Sequence, residues 1–167
     1  MDLQHFILSL CFFSEPKSFI DPEPDKDVKV FNHQDINELL NTSATFHFDR
    51  GEPNFFSQYG KASYAFWAHS FYLEKEEIEG LNDSHDAAIK KLFEKLKWYL
   101  TEMNITERQI INVKEIYNCR CEVLLAVPIS PSKTTFKITK ENLKTLVDVG
   151  LDFSYWPLEI KQLSQLK

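Results

Sequence analysis

The sequence predicts an α+β domain whose helices pack on one face of a mainly antiparallel, mixed sheet. Segments with the two-residue periodicity of strands alternate with segments that repeat apolar residues every three or four positions, in the order βαββαββαβ. The chain has 167 residues, of which 43% are hydrophobic and 26% charged, so it is long and apolar enough to bury a core. No linker or internal repeat divides it, and we expect a single domain over residues 1–167.

The first half of the chain contributes three predicted strands and one short helix. Apolar residues at the even positions of Gln4–Phe13 predict a half-buried strand, and a proline-rich acidic loop follows it. Asn32 is a suitable N-cap for a short helix. Thr45–Asp49 reads as a strand that ends in a turn, and Ser63–Leu73 carries aromatic residues on both faces, which indicates a strand in the middle of the sheet.

The second half begins with an acidic connection and then the longest predicted helix, which Ser84 caps. One continuous apolar stripe marks the buried face of this helix: Ile89, Leu92, Phe93, Leu96, Tyr99, Leu100 and Met103. The pattern of residues 105–118 fits either a helix or a turn before a strand. Alternating apolar residues then predict a strand over Cys121–Val127, which ends at Pro128.

A short strand in TTFKIT (residues 134–139), a helix and a final strand complete the prediction. The helix begins at Thr139 or Lys140, its expected buried residues are Leu143, Leu146 and Val147, and Gly150 suits the position just past its end. In the final strand LDFSYW, the alternation places three residues toward the helices: Leu151, Phe153 and Tyr155. Trp156 falls on the other face.

Charge and composition disfavour several classes of function. A net charge of −6 disfavours nucleic-acid binding and suits a basic protein partner. Only 4 glycines are present, and no glycine-rich phosphate loop occurs, so we expect no nucleotide cofactor. No segment approaches the roughly 18 apolar residues of a membrane span, and the N-terminus lacks the basic region of an export signal.

The cysteines indicate a reducing compartment. Their number is odd and their spacing fits no disulfide framework, so we expect a cytoplasmic protein: Cys11, Cys119 and Cys121. A structural zinc site needs about four ligands, usually arranged as two pairs, and the Cys-Arg-Cys stretch supplies one pair. We therefore interpret these two cysteines as small residues of a strand and expect no metal.

Acidic clusters and two tryptophans are the candidate partner-binding residues. Two groups of four carboxylates lie in predicted loops: Asp21, Glu23, Asp25 and Asp27, then Glu74, Glu76, Glu77 and Glu79. Such loops are either solvated surface or rims that attract a basic partner. One exposed ion pair contributes about 0.2–1 kcal/mol, whereas binding near 1 nM needs about 12 kcal/mol, so aromatic anchors are also required. Trp98 and Trp156 are the candidates for these anchors.

Trp98 lies opposite the apolar stripe of the long helix, among charged residues. It is either covered by the segment Ile105–Tyr117 or open to a partner. The sequence leaves both interpretations in place.

His47, His69 and Asp49 are the candidates for chemistry. If the strands that carry the two histidines pair, their imidazoles come close, and a metal or acid–base site would also need a carboxylate, for which Asp49 is the nearest candidate. The alternative is that both histidines are partly buried and hydrogen-bonded to the backbone. No nucleophile-elbow motif is present, so the sequence favours a binding protein over an enzyme.

Four stretches also resemble a known bacterial family: RGEP at Arg50–Pro53, YAFWAHS at Tyr64–Ser70, AIKKLFEKLKWYL at Ala88–Leu100, and LKTLVDVGLDFSYW at Leu143–Trp156. Together they resemble family 4279 of the domains of unknown function, whose members often occur beside secreted or contact-dependent toxins. The resemblance implies a non-catalytic immunity protein that binds and neutralises a cognate toxin domain, and the acidic charge favours a basic nuclease as that toxin. A small metal-dependent hydrolase and a ligand-sensing module are the alternatives.

Overall fold

The computed structural model describes residues 3–14, 29–53, 60–82, 84–128 and 136–158. Its sheet has five strands, which are β1 (Ile7–Ser14), β2 (Phe46–Phe48), β3 (Phe66–Tyr72), β4 (Cys119–Pro128) and β5 (Asp152–Leu158). Their order in the sheet is β2-β3-β1-β4-β5. Neighbouring strands are antiparallel except β4 and β5, which run parallel. The predicted α+β class with a mainly antiparallel sheet is confirmed.

Five α-helices and one short 3-10 helix occur in the described part of the chain. The 3-10 helix is Leu3–His5, and the α-helices are α1 (His33–Leu40), α2 (Lys75–Glu79), α3 (His85–Glu102), α4 (Glu107–Tyr117) and α5 (Lys140–Val147). No helix among the described residues is long and apolar enough to cross a membrane.

Local capping signals are confirmed at the starts of α1 and α3. The Asn32 side chain accepts hydrogen bonds from the backbone N–H groups of Gln34 and Asp35, and the Ser84 hydroxyl accepts one from Ala87. These caps satisfy amide groups that a helix leaves unpaired in its first turn. The ambiguous segment after α3 is the helix α4, because Thr106 and Gln109 form a capping box at its start.

Two connections differ from the sequence prediction. The acidic segment after β3 contains α2, so the second acidic cluster lies at and within a short helix rather than in a loop. Phe136–Ile138 is not a strand, and the predicted strand is wrong over these residues. The backbone N–H of Lys137 donates to a carboxylate oxygen of Asp86 at the start of α3, and therefore does not join the sheet.

The strand register defines two faces of the sheet. Leu10 of β1 lies opposite His69 of β3 and Val123 of β4, and Val123 lies opposite Phe153 of β5, so these residues share the first face. The buried core draws its strand residues from this face, and α1, α3, α4 and α5 each contribute buried residues to the same core. The remaining strand residues point to the second face.

Trp67 is the largest side chain at the centre of the core. It is 0% exposed, and its ring packs edge-on against Phe12 with 5.5 Å between centroids. Its indole N–H donates to the side-chain oxygen of Asn37 at 2.8 Å, and that oxygen also accepts the backbone N–H of Ala44 at 3.2 Å. Trp67 therefore connects β3, β1, α1 and the segment before β2.

The predicted buried face of α5 is correct at one residue only. Leu146 is 2% exposed, whereas Leu143 is 42% and Val147 is 72% exposed. Of these three residues, Leu146 alone belongs to the core. Gly150 follows the helix with a φ of 68°, as predicted for a residue that ends a helix in the left-handed region.

Candidate functional site

One row of side chains crosses the second face of the sheet at the end where β3 stops. Pairing places Tyr72 opposite Ile7, Ile7 opposite Ala126, and Ala126 opposite Trp156. These four residues, called here the terminal row, come from β3, β1, β4 and β5. Since adjacent strands are about 4.8 Å apart, the row spans about 14 Å. Every member is apolar or aromatic.

Both ends of the terminal row are open to solvent. Tyr72 is 48% exposed and Trp156 is 54% exposed, while Ala126 between them is 7% exposed. Exposed aromatic residues next to a well-packed apolar centre are typical of the anchors of protein interfaces. The structure therefore places the sequence candidate Trp156 in the same row as a second exposed aromatic residue, Tyr72, at the opposite end, which the sequence analysis does not single out.

Tyr155 differs from its predicted position in the core. Its side chain lies on the first face, as the alternation requires, but it is 42% exposed. β5 is the last strand of the sheet, so fewer neighbours cover its side chains. The ring contacts Phe136, with 5.0 Å between centroids, and is otherwise on the surface.

The opposite end of the second face carries an aromatic cluster of Phe13, Phe46, Phe48, Tyr64 and Phe66. Phe66 lies at its centre, 4.8 Å from Phe13 and 5.4 Å from Phe48 between ring centroids. Burial raises the pKa of Tyr64 despite the nearby Arg120 guanidinium, so its phenol stays neutral. The rings mostly pack on one another, and only Phe46, at 52%, is largely exposed.

Trp98 is on the outer surface of α3 and is 63% exposed. The interpretation in which Ile105–Tyr117 covers it is therefore wrong. Its helical neighbours are charged or polar, since Glu94, Lys95, Thr101 and Glu102 lie three or four positions away. α3 packs on the first face of the sheet and Trp156 lies on the second, so the two tryptophans cannot share one flat interface.

The acidic residues of the second cluster are not equivalent. Glu77 lies 2.6 Å from the Lys95 ammonium and 3.9 Å from that of Lys91, and it accepts the backbone N–H of Glu74 at 2.8 Å. Partial burial alone would raise the pKa of Glu77, but these hydrogen bonds and charges together lower it. Glu77 is thus engaged within the fold, whereas Glu74, Glu76 and Glu79 are exposed.

The first acidic cluster cannot be placed in the same way. Its four residues lie outside the described part of the chain: Asp21, Glu23, Asp25 and Asp27.

His33, His47 and Asp49 form a cluster in which each residue offers a metal-ligand atom within 4.8 Å of the others. β2 and β3 do pair, as the sequence hypothesis required, but His69 is not a member. The Nδ1 atom of His69 donates to the carbonyl oxygen of Ser43 at 2.9 Å, which matches the alternative of a backbone-bonded histidine. His33 lies 14 residues before His47 in the sequence, and no sequence pattern marked it as a member of the cluster.

Asp49 holds His33 through two hydrogen bonds. The backbone N–H of His33 donates to Oδ1 of Asp49 at 2.7 Å, and its Nδ1 atom donates to Oδ2 at 2.8 Å. The imidazole of His47 stacks on that of His33, with 3.7 Å between centroids and 14° between planes. His33 and Asp49 are each 24% exposed, so the cluster is accessible from the surface.

The cysteines are buried free thiols. Cys119 and Cys121 lie on the first face of β4, and the Cys119 thiol donates to the carbonyl oxygen of Val113. Burial raises the pKa of the Cys11 and Cys121 thiols, which keeps both protonated and unreactive.

A groove of about 450 Å³ between α3 and α5 is the place where a ligand-sensing module would bind its ligand. Its lining combines apolar residues such as Leu100 and Ile105 with charged residues, which include Lys97, Glu141, Lys144 and Asp148. The Lys144 ammonium already binds both carboxylate oxygens of Asp148, at 2.8 and 2.7 Å. This pairing leaves Lys144 and Asp148 less available to a ligand.

The fold and the site define a two-layer α+β domain with an aromatic-ended row on the second face of its sheet. Compared with known proteins, the chain matches no family model, no curated protein and no solved structure.

Proposed function

We propose that this chain is a non-catalytic binding protein that neutralises a basic toxin domain, and that the terminal row is its contact surface. The observation that carries the proposal is the exposure of Tyr72 and Trp156 at the two ends of one apolar row. Tryptophan and tyrosine are the side chains most often found as interface hot spots. Two exposed aromatic side chains whose strands lie about 14 Å apart suit a protein partner better than a small molecule.

The charge around this end of the sheet favours a basic partner. α2 begins three residues after Tyr72, and Glu74, Glu76 and Glu79 are exposed at its start and end. With a net charge of −6, the chain attracts a basic domain over a distance of about 10 Å at ordinary ionic strength. The carboxylates then steer the encounter, while the aromatic residues supply most of the binding energy.

Two observations support a toxin as the partner: the sequence resemblance to the immunity family, and the position of the last resembling stretch in the sheet. LKTLVDVGLDFSYW ends at Trp156, so the stretch that resembles the immunity family also supplies one end of the terminal row. An immunity protein of this kind acts in the cytoplasm of the cell that makes it, and we propose that location here. Inhibition needs no catalytic residue, because occupying the surface of the toxin is sufficient.

Co-expression tests this proposal. The partner to use is the basic C-terminal domain of a secreted protein encoded beside this chain, expressed in a bacterial host whose growth it arrests. We expect co-expression of this chain to restore growth, and the association rate of the purified pair to fall steeply with salt. A basic toxin domain from an unrelated locus serves as the control and should not be neutralised. Continued growth arrest with the neighbouring toxin domain contradicts the proposal.

A further inference from the structure

The His33–His47–Asp49 cluster joins three separate parts of the fold. His33 is the first residue of α1, His47 is the middle residue of β2, and Asp49 directly follows β2. Each side chain offers a nitrogen or oxygen atom that binds metals, and these atoms lie within 4.8 Å of one another. The cluster lies on the first-face side of the β2–β3 pair, because His47 pairs with Trp67.

We propose that this cluster binds one divalent transition-metal ion of the zinc type. Two imidazole nitrogens and one carboxylate oxygen form a donor set that zinc and its neighbours prefer. Calcium and magnesium take oxygen ligands almost exclusively, so the two histidines select against them. Three protein ligands leave one position of a tetrahedral ion for water.

The present arrangement holds two of the three ligands side by side, joined by a hydrogen bond whose Nδ1 proton must leave before both of these atoms can bind one ion. Asp49 fixes the backbone and the ring of His33, and its own backbone N–H donates to a carboxylate oxygen of Glu52 at 2.8 Å. The carboxylate of Glu52 therefore lies next to the cluster, as does Asp35, which accepts the N–H of Asn32 in the same first turn. The N-terminus of α1 is the positive end of its helix dipole and by itself disfavours a cation. The negative charges of these carboxylates offset that effect.

His47 is the ligand that must move. The lone pairs of an imidazole lie in the ring plane, so two rings that are stacked at 14° cannot both point at one ion. Ligand atoms around a tetrahedral zinc ion are about 3.3 Å apart, whereas the atoms of this cluster lie within 4.8 Å of one another, so binding requires a shift of up to about 1.5 Å. His47 is exposed and its side chain makes no hydrogen bond to another described residue, so rotation of its ring breaks the stacking contact with His33 and no side-chain hydrogen bond among them.

A bound ion links the start of α1 to the end of β2. Since it would bind the folded chain and not an equivalent site in the unfolded chain, it stabilises the native state. The cluster is on the other face of the sheet from the terminal row, so metal binding and toxin binding are separate properties. Either proposal can fail without the other.

Calorimetric titration of the untagged protein with Zn²⁺ tests the site. The absorption spectrum of bound Co²⁺ reports the coordination geometry of the ion. We expect one ion per chain, and at least about tenfold weaker binding for His47→Ala. The control is His69→Asn, which removes another imidazole of the same sheet face and keeps a donor for the Ser43 carbonyl. Circular dichroism verifies that both variants fold.

Unchanged affinity in the control together with the loss in His47→Ala supports the site. The proposal is overturned if the wild type binds no stoichiometric ion, or if His47→Ala binds as tightly as the wild type. It is equally overturned if both variants lose the ion to the same extent.

Discussion

Replacement of Trp67 by alanine is expected to remove a large part of the stability of the protein. The side chain is 0% exposed, packs edge-on against Phe12, and donates to Asn37. Truncating a buried aromatic side chain costs about 3–5 kcal/mol, out of a total stability of about 5–15 kcal/mol for a typical domain. The loss of the indole N–H also leaves Asn37 with one partner fewer. Urea unfolding followed by circular dichroism should show a much lower midpoint.

Trp98→Ala is the matched control for this stability measurement. It makes the same chemical change at a side chain that is 63% exposed, so we expect a change within about 0.5 kcal/mol. Equal losses from the two substitutions would show that Trp98 is packed and that the assignment of the core is wrong.

Trp156→Ala is expected to weaken binding of the toxin domain at least about 30-fold without changing the stability of the free chain. The side chain is 54% exposed at one end of the terminal row, so its truncation leaves no core cavity. A hot-spot residue contributes about 2 kcal/mol or more, and each 1.4 kcal/mol is about tenfold in affinity. Calorimetric titration of the purified toxin domain at fixed salt measures the effect.

The same Trp98→Ala variant controls this binding measurement. Trp98 is at least as exposed as Trp156 but lies on the outer surface of the helical layer. We expect its affinity for the toxin domain to equal that of the wild type. Weaker binding by Trp98→Ala, with Trp156→Ala unchanged, would move the contact surface to α3.

Features that depend on neighbouring residues in the sequence were predictable. The caps at Asn32 and Ser84 and the left-handed Gly150 act within a few residues of themselves, and the structure contains all three. The alternation in the last strand correctly separated Trp156 from Phe153 by face. Periodicity reports the direction of a side chain, and direction is fixed by the local backbone.

Periodicity does not report whether another element covers that side chain. Leu143, Val147 and Tyr155 all carry apolar or aromatic side chains in the expected pattern, yet they are exposed. For Tyr155 the reason is that β5 is the last strand of the sheet. Position within a layer depends on strand order, which local patterns do not determine. The same limit explains why Phe136–Ile138 packs near the core without becoming a strand.

The candidate sites depend even more on long-range pairing. The terminal row requires the order β3-β1-β4-β5 and the register that brings Tyr72, Ile7, Ala126 and Trp156 into line. The His33–His47–Asp49 cluster requires α1 to begin beside the end of β2. Its second histidine is therefore His33, and not His69 as the sequence hypothesis had it. Sequence reasoning found Trp156, His47 and Asp49 as residue types, but it could not find their spatial partners.

Hydroxyl-radical footprinting of the free chain and of its complex with the toxin domain tests most directly whether the terminal row is the binding surface. All three reporter side chains are solvent-exposed in the free chain, since Tyr72 is 48%, Trp156 is 54% and Trp98 is 63% accessible. We expect oxidation of Tyr72 and Trp156 to fall sharply in the complex, while oxidation of Trp98 stays the same. Unchanged oxidation of Tyr72 and Trp156, or protection of Trp98 instead, would contradict the proposed surface.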